Sequence, residues 1–261
     1  MGTQLDTWQL VEAPATTPLP FGLFSVAEPR LPADEHWRLG VEWLTQACAT
    51  PGTTTGPCVD LTPPVLTAEA LCSILQYDPF TVYSYNTDEV PGFTLAEHLE
   101  HTRQRLINGE QYGAESYLWT AIATSASPAD LSTSKLEVAL GYVEHELAQV
   151  YFGQGVIHMS RITATALALH LRITGGRLTT LLGTPVVAGG GYDSGNATPS
   201  VDSHIYGTGP VVLYRGDIDT RETSINRATN QASIVAQRDY VVGWDCSAVG
   251  AKINYPDSAI S

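Results

Sequence analysis

The chain is poor in charged residues, and most of the charge that it carries is negative. Of its 261 residues, 15% are Asp, Glu, Lys or Arg, against roughly 25% in an average soluble domain. Acidic residues outnumber basic ones 27 to 13, so the formal net charge is -14. Because tight binding to nucleic acid needs a basic face against the phosphates, this balance excludes a dedicated nucleic-acid-binding domain. The scarcity of charge also predicts that much of the surface is covered by other molecules.

Long apolar runs are absent as well. No stretch reaches the roughly 18 consecutive apolar residues that a membrane-spanning helix needs. Residues 1–10 contain neither a basic residue nor an apolar block, so we expect no secretory signal there. The hydrophobic content of 43% is nevertheless high enough for a sizeable core and argues against disorder. The length fits one large domain or two small ones.

Cysteine is scarce, and its spacing does not suggest a metal site. The four cysteines, Cys48, Cys58, Cys72 and Cys246, form no C-x-x-C pair and have no histidine at zinc-finger spacing. Cys48 and Cys58 flank a stretch rich in Thr, Gly and Pro, so a disulfide across that stretch is one alternative. The interpretation that we favour is reduced thiols in a cytosolic protein.

The first 35 residues have the composition of an arm. Residues 1–35 hold five of the sixteen prolines, and each proline removes an amide donor and fixes its φ angle. We therefore expect an extended arm rather than a packed unit. Its Phe21 and Phe24 need a surface to lie on, which makes them candidates for contacts with a neighbouring subunit.

A long hairpin is predicted over residues 36–66. Alternating apolar residues between His36 and Leu44, among them Trp37 and Trp43, have the period of a strand. A turn-rich tip and a weaker strand near residues 58–65 follow. A two-stranded ribbon is unstable alone, so Trp37 and Trp43 are further candidates for subunit contacts.

Two capping boxes mark the clearest helices. Thr94 and Glu97 begin a helix predicted over residues 94–119, whose buried stripe consists of Leu95, Leu99, Thr102 and Leu106. Ser134 and Glu137 begin a second helix that ends near Gly153. A third helix is predicted from Ser160 to Leu171, ended by Gly175 and Gly176.

Short strands occupy most of the remaining chain. The β-branched and apolar runs that predict them lie at 80–85, 155–159, 184–188, 210–215, 232–237, 240–244 and 252–255. Helices in the middle and strands toward the end indicate an α+β fold. A Gly-, Ser- and Asp-rich loop is expected over residues 189–203.

Motifs that carry chemistry are incomplete. The run Gly189-Gly190-Gly191 follows a strand but lacks the continuation of a phosphate-binding loop, so we expect a flexible loop. His145-Glu146 begins like a zinc-protease motif, but Gln149 replaces the second histidine.

Other candidate groups also favour structural roles. His98 and His101, beside Glu97 and Glu100, can share a metal, but their position favours a solvated helix face. His158, in a predicted strand, fits a satisfied core or edge histidine. No G-x-S-x-G nucleophile motif occurs, and Asp245 beside Cys246 raises a thiol pKa rather than activating it. We therefore expect no catalytic, cofactor or metal site, and no enzyme.

The order of the elements resembles a known family. The strings that carry the resemblance are Val156-Ile157-His158, Leu182-Gly183-Thr184-Pro185-Val186-Val187, the strand from Gly209 to Gly216, and the segment from Asn230 through Arg238 to Val242. They resemble the major capsid proteins of tailed phages, which have the Hong Kong 97 fold and are related to encapsulins. The resemblance covers roughly residues 80–255 in order and type, and the arm and hairpin by position only.

The resemblance implies a domain organisation. The expected parts are an N-terminal arm at 1–35, an extended loop at 36–66, a peripheral domain at 67–129 with its spine helix at 94–119, a mainly axial domain at 130–230, and C-terminal strands at 231–261 that return to the peripheral sheet.

It also implies a function: self-assembly into the hexamers and pentamers of an icosahedral phage head that encloses double-stranded DNA. The implied partners are copies of the chain, portal and scaffolding or decoration proteins, and packaged DNA through weak non-specific contact, with no membrane and no cofactor. The implied location is the virion capsid, assembled in the bacterial host cytoplasm.

Two departures from the family refine this expectation. Some members weld subunits by a lysine–asparagine bond from the extended loop, but the only lysines here are Lys135 and Lys252, so we do not expect that bond. Some carry a cleaved scaffolding region, and here we expect a separate scaffold or none. An encapsulin-like protein compartment and a soluble hydrolase with dispersed catalytic residues remain alternatives.

Overall fold

The computed structural model describes residues 16–17, 19–27, 29–30, 36–45, 48, 74–89, 94–132, 134–192, 203–226 and 231–253. The helices of this part are α1 (Leu95–Ser125), α2 (Leu136–Val150) and α3 (Arg161–Ala166), with short 3-10 helices at Leu23–Ser25, His36–Leu39 and Ala168–His170. Its strands are β1 (Pro29–Arg30), β2 (Val41–Leu44), β3 (Ile74–Tyr77), β4 (Pro79–Glu89), β5 (Ala129–Asp130), β6 (Val156–Ser160), β7 (Leu171–Thr174), β8 (Arg177–Thr180), β9 (Val186–Gly189), β10 (Ser203–Thr208), β11 (Val211–Arg215), β12 (Asp219–Asn226), β13 (Gln231–Trp244) and β14 (Val249–Ile253).

A first sheet is organised around β13. On one side β13 pairs with β4, and on the other with β12 along its first half and β11 along its second half, all antiparallel. The short β1 adds a parallel strand to β11. The sequence predicted two strands here, separated at Arg238 and Asp239. The strand is continuous because both residues keep their ladder pairs with β4; the Asp239 carboxylate also accepts from Thr81 of β4, and Arg238 donates to Glu110 of α1.

A second sheet has the order β5–β14–β10–β6–β9. Helix α2 packs against β14 and β10, and the apolar spacing that predicted its buried face is confirmed by the burial of Leu140, Val143 and Leu147. The second capping box is wrong: Lys135 occupies the N-cap, without a side-chain hydrogen bond. The helix begins one residue later than the box requires, which leaves Ser134 outside it.

The sheets divide the chain differently from the expected domain boundaries. Strands β11 and β12 lie within the residues expected to be mainly axial, but they belong to the first sheet with β4. Strand β14 lies among the C-terminal residues expected to return to the first sheet, but it pairs within the second.

Helix α1 is the longest element, at 31 residues, and it extends beyond the predicted end at residue 119. Its capping box is confirmed: the Glu97 amide donates to Thr94 Oγ1 at 3.3 Å, and the Thr94 amide donates to the Glu97 carboxylate at 2.6 Å. The helix packs on β13 and β4. Its second half also packs on the second sheet, where the Trp119 ring lies 4.9 Å from Tyr192 and 4.8 Å from Tyr206.

The buried face of α1 differs from the predicted stripe. Thr102 and Leu106 are buried as predicted, but Leu95 is exposed and Leu99 only half-buried. His98 was expected on the solvated face and is buried instead, while His101 is exposed. The buried face also carries two carboxylates. The sequence pattern does not predict this buried face, because polar side chains with distant partners do not form a hydrophobic stripe.

The segment after α3 folds as a hairpin. The predicted helix over 160–171 ends at Ala166, and Gly175 and Gly176 form the two-residue turn between β7 and β8. Both glycines have positive φ, 58° and 79°. A glycine pair with positive φ suits a tight hairpin turn as well as a helix end. The prediction that these glycines end a secondary-structure element is confirmed, but the element is a strand and not a helix.

The predicted long hairpin is corrected in its pairing. Strand β2 pairs antiparallel with β3, at residues 74–77, rather than with a strand near 58–65. That predicted strand and the tip before it lie outside the described residues. Trp37 lies in a 3-10 helix rather than in the strand.

The described part of the arm packs on its own chain. Leu23 and Ala27 are buried in the core cluster that contains Leu118 of α1 and Val242 of β13. The expectation of an unpacked arm is therefore wrong for residues 19–27 and 29–30. Residues 1–15 lie outside the described part. Among the described helices, none combines the length and apolarity needed to cross a membrane.

Candidate functional site

A buried carboxylate holds the arm. Glu115 of α1 is almost fully buried, and its two oxygens accept hydrogen bonds from the amides of Leu23 and Gly191, each at 2.9 Å. Burial raises the pKa of Glu115, while these amide donors and the nearby Arg161 guanidinium oppose the rise. One side chain therefore fastens both the arm and the glycine run to the helix.

Phe21 and Phe24, the arm's predicted subunit contacts, also touch their own chain. The Phe21 carbonyl accepts the Ala188 amide at 2.8 Å, and Arg161 donates to the Pro20 carbonyl at 3.0 Å. Phe24 packs against the core cluster. Both phenylalanine rings are half-buried. Their contact with a neighbouring subunit stays a prediction.

Trp37 and Trp43 lie in different environments. Trp37 is 7% exposed and lies against Gly216, where an added Cβ would be 3.1 Å from the ring. A side chain so deeply buried offers little surface to another subunit. Trp43 is half-buried and stacks on Tyr77, with ring centroids 4.7 Å apart. Of the two tryptophans, Trp43 retains surface for the predicted contact.

The glycine run is packed rather than a flexible loop, at least over residues 189–191. An added Cβ at Gly191 would lie 2.9 Å from the Ser116 amide nitrogen in α1, so only glycine permits this close approach. The run therefore serves as a contact surface for the helix. Residues 193–202 lie outside the described part.

His158 is a satisfied core histidine, as predicted. Its two ring nitrogens lie 2.9 Å from the hydroxyls of Tyr192 and Thr208. Complete burial lowers the pKa of His158 to about 3, so the ring is neutral near neutral pH. With both nitrogens occupied, it is not poised to move a substrate proton.

The cysteines contradict the favoured interpretation of reduced thiols. Cys48 is disulfide-bonded to Cys246, not to Cys58, with Cα atoms 5.6 Å apart and 198 positions between them in sequence. Within the described residues, Cys48, Asp245 and Cys246 form the one cluster of three groups suited to a metal. The disulfide leaves neither sulfur as a thiolate ligand, and His98 and His101 do not join such a cluster.

Large apolar side chains are exposed on the β7–β8 hairpin and its flanks. Leu169 and Leu182 are 90% and 81% exposed, and Ile173 and Leu181 are also exposed. The hairpin is held by a hydrogen bond of 2.6 Å from the Thr180 hydroxyl to Glu144. Neighbouring exposed apolar side chains mark surfaces that contact other proteins. In the sequence, this surface is signalled by the adjacent pair Leu181-Leu182.

The β2–β3 pair has a second exposed apolar group. Leu44 and Ile74, which pair with each other across the two strands, are exposed, as is Leu39 just before β2. A cleft of about 490 Å³ separates β3 from α1, lined partly by Tyr77, Tyr117 and Trp244. Over its described residues, the pair therefore lies across a cleft from α1 and exposes apolar side chains.

Comparison of the sequence with family models and with curated proteins finds no match. Solved structures do match. The chain superposes on the capsid of a native GTA particle with a TM-score of 0.61 at 11% identity, covering 97% of this chain and 96% of that one. For the capsid of Ralstonia phage GP4, the TM-score is 0.55 at 12% identity, covering 98% of this chain and 98% of that one. For the head of Helicobacter pylori bacteriophage KHP40, the TM-score is 0.55 at 9% identity, covering 95% of this chain and 95% of that one.

These likenesses extend over almost the whole length of both chains. They show that this chain has the fold of phage capsid proteins, which confirms the predicted α+β, Hong Kong 97-like architecture.

Proposed function

We propose that this chain is a major capsid protein, which self-assembles into the hexamers and pentamers of an icosahedral phage head around double-stranded DNA. The observation that carries the proposal is the extent of the likeness to capsid subunits: 97% of this chain and 96% of the GTA capsid chain. A likeness of that extent involves the whole architecture rather than a single shared motif. Fold alone does not fix function, so the surfaces and charge must agree with it.

The exposed apolar groups support self-assembly. The β7–β8 hairpin and the β2–β3 pair are separate parts of the chain, and each exposes large apolar side chains. Two different surfaces on one chain suit head-to-tail contacts, which close into rings or curved lattices. We infer that copies of the chain cover these side chains, with the sheet around β13 forming the peripheral domain and the sheet around β10 the axial domain.

The charge fits a container. With a net charge of -14, the chain has few basic groups to neutralise DNA phosphates and release their counterions, which is the usual source of tight binding. A shell built from it therefore encloses DNA with only weak non-specific contact. We infer portal and scaffolding or decoration proteins as further partners, and no membrane partner. Assembly takes place in the cytoplasm of a bacterial host, and the finished protein is in the virion capsid.

We infer that the role is structural rather than enzymatic. In the described part of the chain, the groups most suited to catalysis have structural partners: His158 lies between two hydroxyls, and Cys246 is disulfide-bonded. Glu115 binds backbone amides of the arm and the glycine run.

Negative-stain electron microscopy and light scattering of the purified chain test assembly. We expect rings, sheets or shells whose amount rises with protein concentration. Discrete monomers at every concentration would overturn the proposal. Leu182→Asp should abolish assembly with little change in melting temperature, because an exposed side chain contributes little to the fold. Leu182→Met, which keeps the apolar surface, should assemble. Nuclease-protected DNA in shells from infected or co-expressing cells tests the cargo.

A further inference from the structure

We propose that the bond between Cys48 and Cys246 is a redox-controlled brace, which fixes the chain beyond the Leu44 end of β2 to the core when oxidised and loosens the β2–β3 pair when reduced. The two cysteines lie 198 positions apart. A bond across so long a segment restricts the unfolded chain strongly.

The brace ends at a junction of three elements. Cys246 lies two residues beyond the end of β13 and forms a small buried cluster with Leu147 of α2 and with Tyr151, the residue after α2. Val249, which begins β14, and Cys48 pack against the same cluster. The bond therefore fastens the chain just beyond β2 to the point where both sheets and α2 meet.

A second attachment lies close to the first. The Tyr77 hydroxyl of β3 donates a hydrogen bond to the Trp244 carbonyl at the end of β13. The Tyr77 ring covers Gly243 so closely that an added Cβ would clash with the ring. Trp43 of β2 also stacks on the Tyr77 ring. The disulfide and the Tyr77 contact both attach the β2–β3 pair to the end of β13, and reduction removes the first of these attachments, while Trp37 just before β2 stays packed against Gly216.

The turn that carries Cys246 is held by hydrogen bonds that do not involve its sulfur. Cys246 has a φ of 60°, in the left-handed region that non-glycine residues rarely adopt. Its amide donates to the Asp245 carboxylate at 3.1 Å, and the Asp245 amide donates to the Pro210 carbonyl at 3.2 Å. Such a conformation persists only where its surroundings impose it. Cys246 therefore stays in place after reduction, ready to bond again.

The redox step is an ordinary thiol–disulfide exchange. A thiolate of a dithiol reductant attacks Sγ of the half-buried Cys48, and the S–S electron pair leaves on Sγ of the more buried Cys246, which takes up a proton. The second thiol of the reductant then displaces Cys48, also as a thiol, and the reductant ends as a disulfide. Closure is the reverse: a small-molecule disulfide accepts the two electrons and two protons and becomes two thiols.

The brace has a consequence that rests on the proposed function. A bacterial cytoplasm keeps thiols reduced, and the surroundings outside the cell favour disulfides. Subunits would then assemble with the β2–β3 pair free to adjust, and the brace would close in particles released from the cell.

Peptide mapping of the full chain tests the bond. After treatment with oxidised glutathione, we expect a cross-linked peptide containing Cys48 and Cys246 that dithiothreitol separates. The melting temperature should fall by roughly 5–15 °C on reduction. Amide exchange in β2 and β3 should accelerate on the order of tenfold, with little change in β13. An absent cross-link, or a cross-link with neither change on reduction, would overturn the proposal.

Cysteine variants identify the partners. Cys48→Ser and Cys246→Ser should each make the melting temperature insensitive to dithiothreitol. Cys58→Ser and Cys72→Ser are the matched controls and should keep the full response; loss of the response in either control would also overturn the proposal. Reduction and reoxidation of the unmodified chain give the same comparison if a variant folds poorly. These measurements do not depend on shell formation, so their failure is distinguishable from failure of the proposed function.

Discussion

Glu110 and Arg238 form a buried ion pair at 2.6 Å between α1 and β13, although they are 128 positions apart in sequence. The same carboxylate accepts the Tyr240 hydroxyl at 2.7 Å, and its other oxygen lies 3.5 Å from Arg215. The side chains of the pair are 6% and 10% exposed. Helix α1 is thereby fixed to one register along the first sheet.

Arg238→Met should reduce the free energy of unfolding by about 3 kcal/mol, because it leaves a buried carboxylate without its closest partner. Urea denaturation measures the change. Arg103→Met is the control. Arg103 pairs with Glu100 on the exposed side of α1, so loss of this ion pair should reduce the free energy of unfolding by less than about 1 kcal/mol. Equal losses in the two variants would contradict a buried network.

Leu23→Ala should destabilise the chain by about 2–5 kcal/mol, because Leu23 is completely buried and its truncation leaves a cavity. Leu19→Ala, in the same arm but 52% exposed, should change stability by less than about 0.5 kcal/mol. Chemical denaturation compares the two. A negligible effect of Leu23→Ala would mean that the arm does not dock on its own chain in solution.

Two glycines of α1 should respond to alanine in opposite directions. At Gly109 an added Cβ meets nothing within 4 Å, so Gly109→Ala should stabilise the chain by about 0.5–1 kcal/mol through helix propensity. At Gly113 the Cβ would lie 2.8 Å from Val82 of β4, so Gly113→Ala should destabilise by about 1–3 kcal/mol through overpacking. Thermal unfolding gives both signs. Stabilisation by Gly113→Ala would contradict the close packing of α1 on β4.

Acid should destabilise the fold through His158. Burial lowers its pKa to about 3, against about 6.5 in an unfolded chain. Between these values the unfolded state binds a proton that the folded state does not. The contribution to stability is therefore complete above pH 6.5 and is lost as the pH falls toward 3.

At pH 5 the expected loss from His158 is about 2 kcal/mol relative to pH 7.5. Urea denaturation at the two pH values should show a smaller decrease for His158→Gln than for the unmodified chain. His145→Gln, at an exposed position of α2, should leave the decrease unchanged. An identical pH dependence in all three proteins would exclude this role of His158.

Local signals in the sequence were read correctly where the interaction is itself local. The capping box of Thr94 and Glu97 spans one helical turn, so its pattern contains everything that forms it. Strand β12 is the opposite case. Its residues, from Asp219 to Asn226, are mostly polar, and they form a strand because their backbone pairs antiparallel with β13.

The buried polar groups could not be predicted in the same way. The sequence places His98 on the solvent face of an amphipathic helix and predicts no buried role for Glu110 or Glu115, because acids and imidazoles are seldom buried without partners. The hydrogen-bond partners described for the two carboxylates lie between 76 and 130 positions away in sequence. The same distance hid the pairing of Cys48 with Cys246. A sequence pattern specifies a neighbour on the chain, not one across the fold.

The central position of β13 has a consequence for synthesis on the ribosome. The Thr81 hydroxyl of β4 binds Asp239 of β13, and the two residues are 158 positions apart. At about 5–20 residues per second, the ribosome needs roughly 8–30 s to reach β13 after making β4. Throughout that interval β4 and the inner face of α1 have emerged without the strand that covers them. The nascent chain is therefore a natural client for a chaperone until β13 appears.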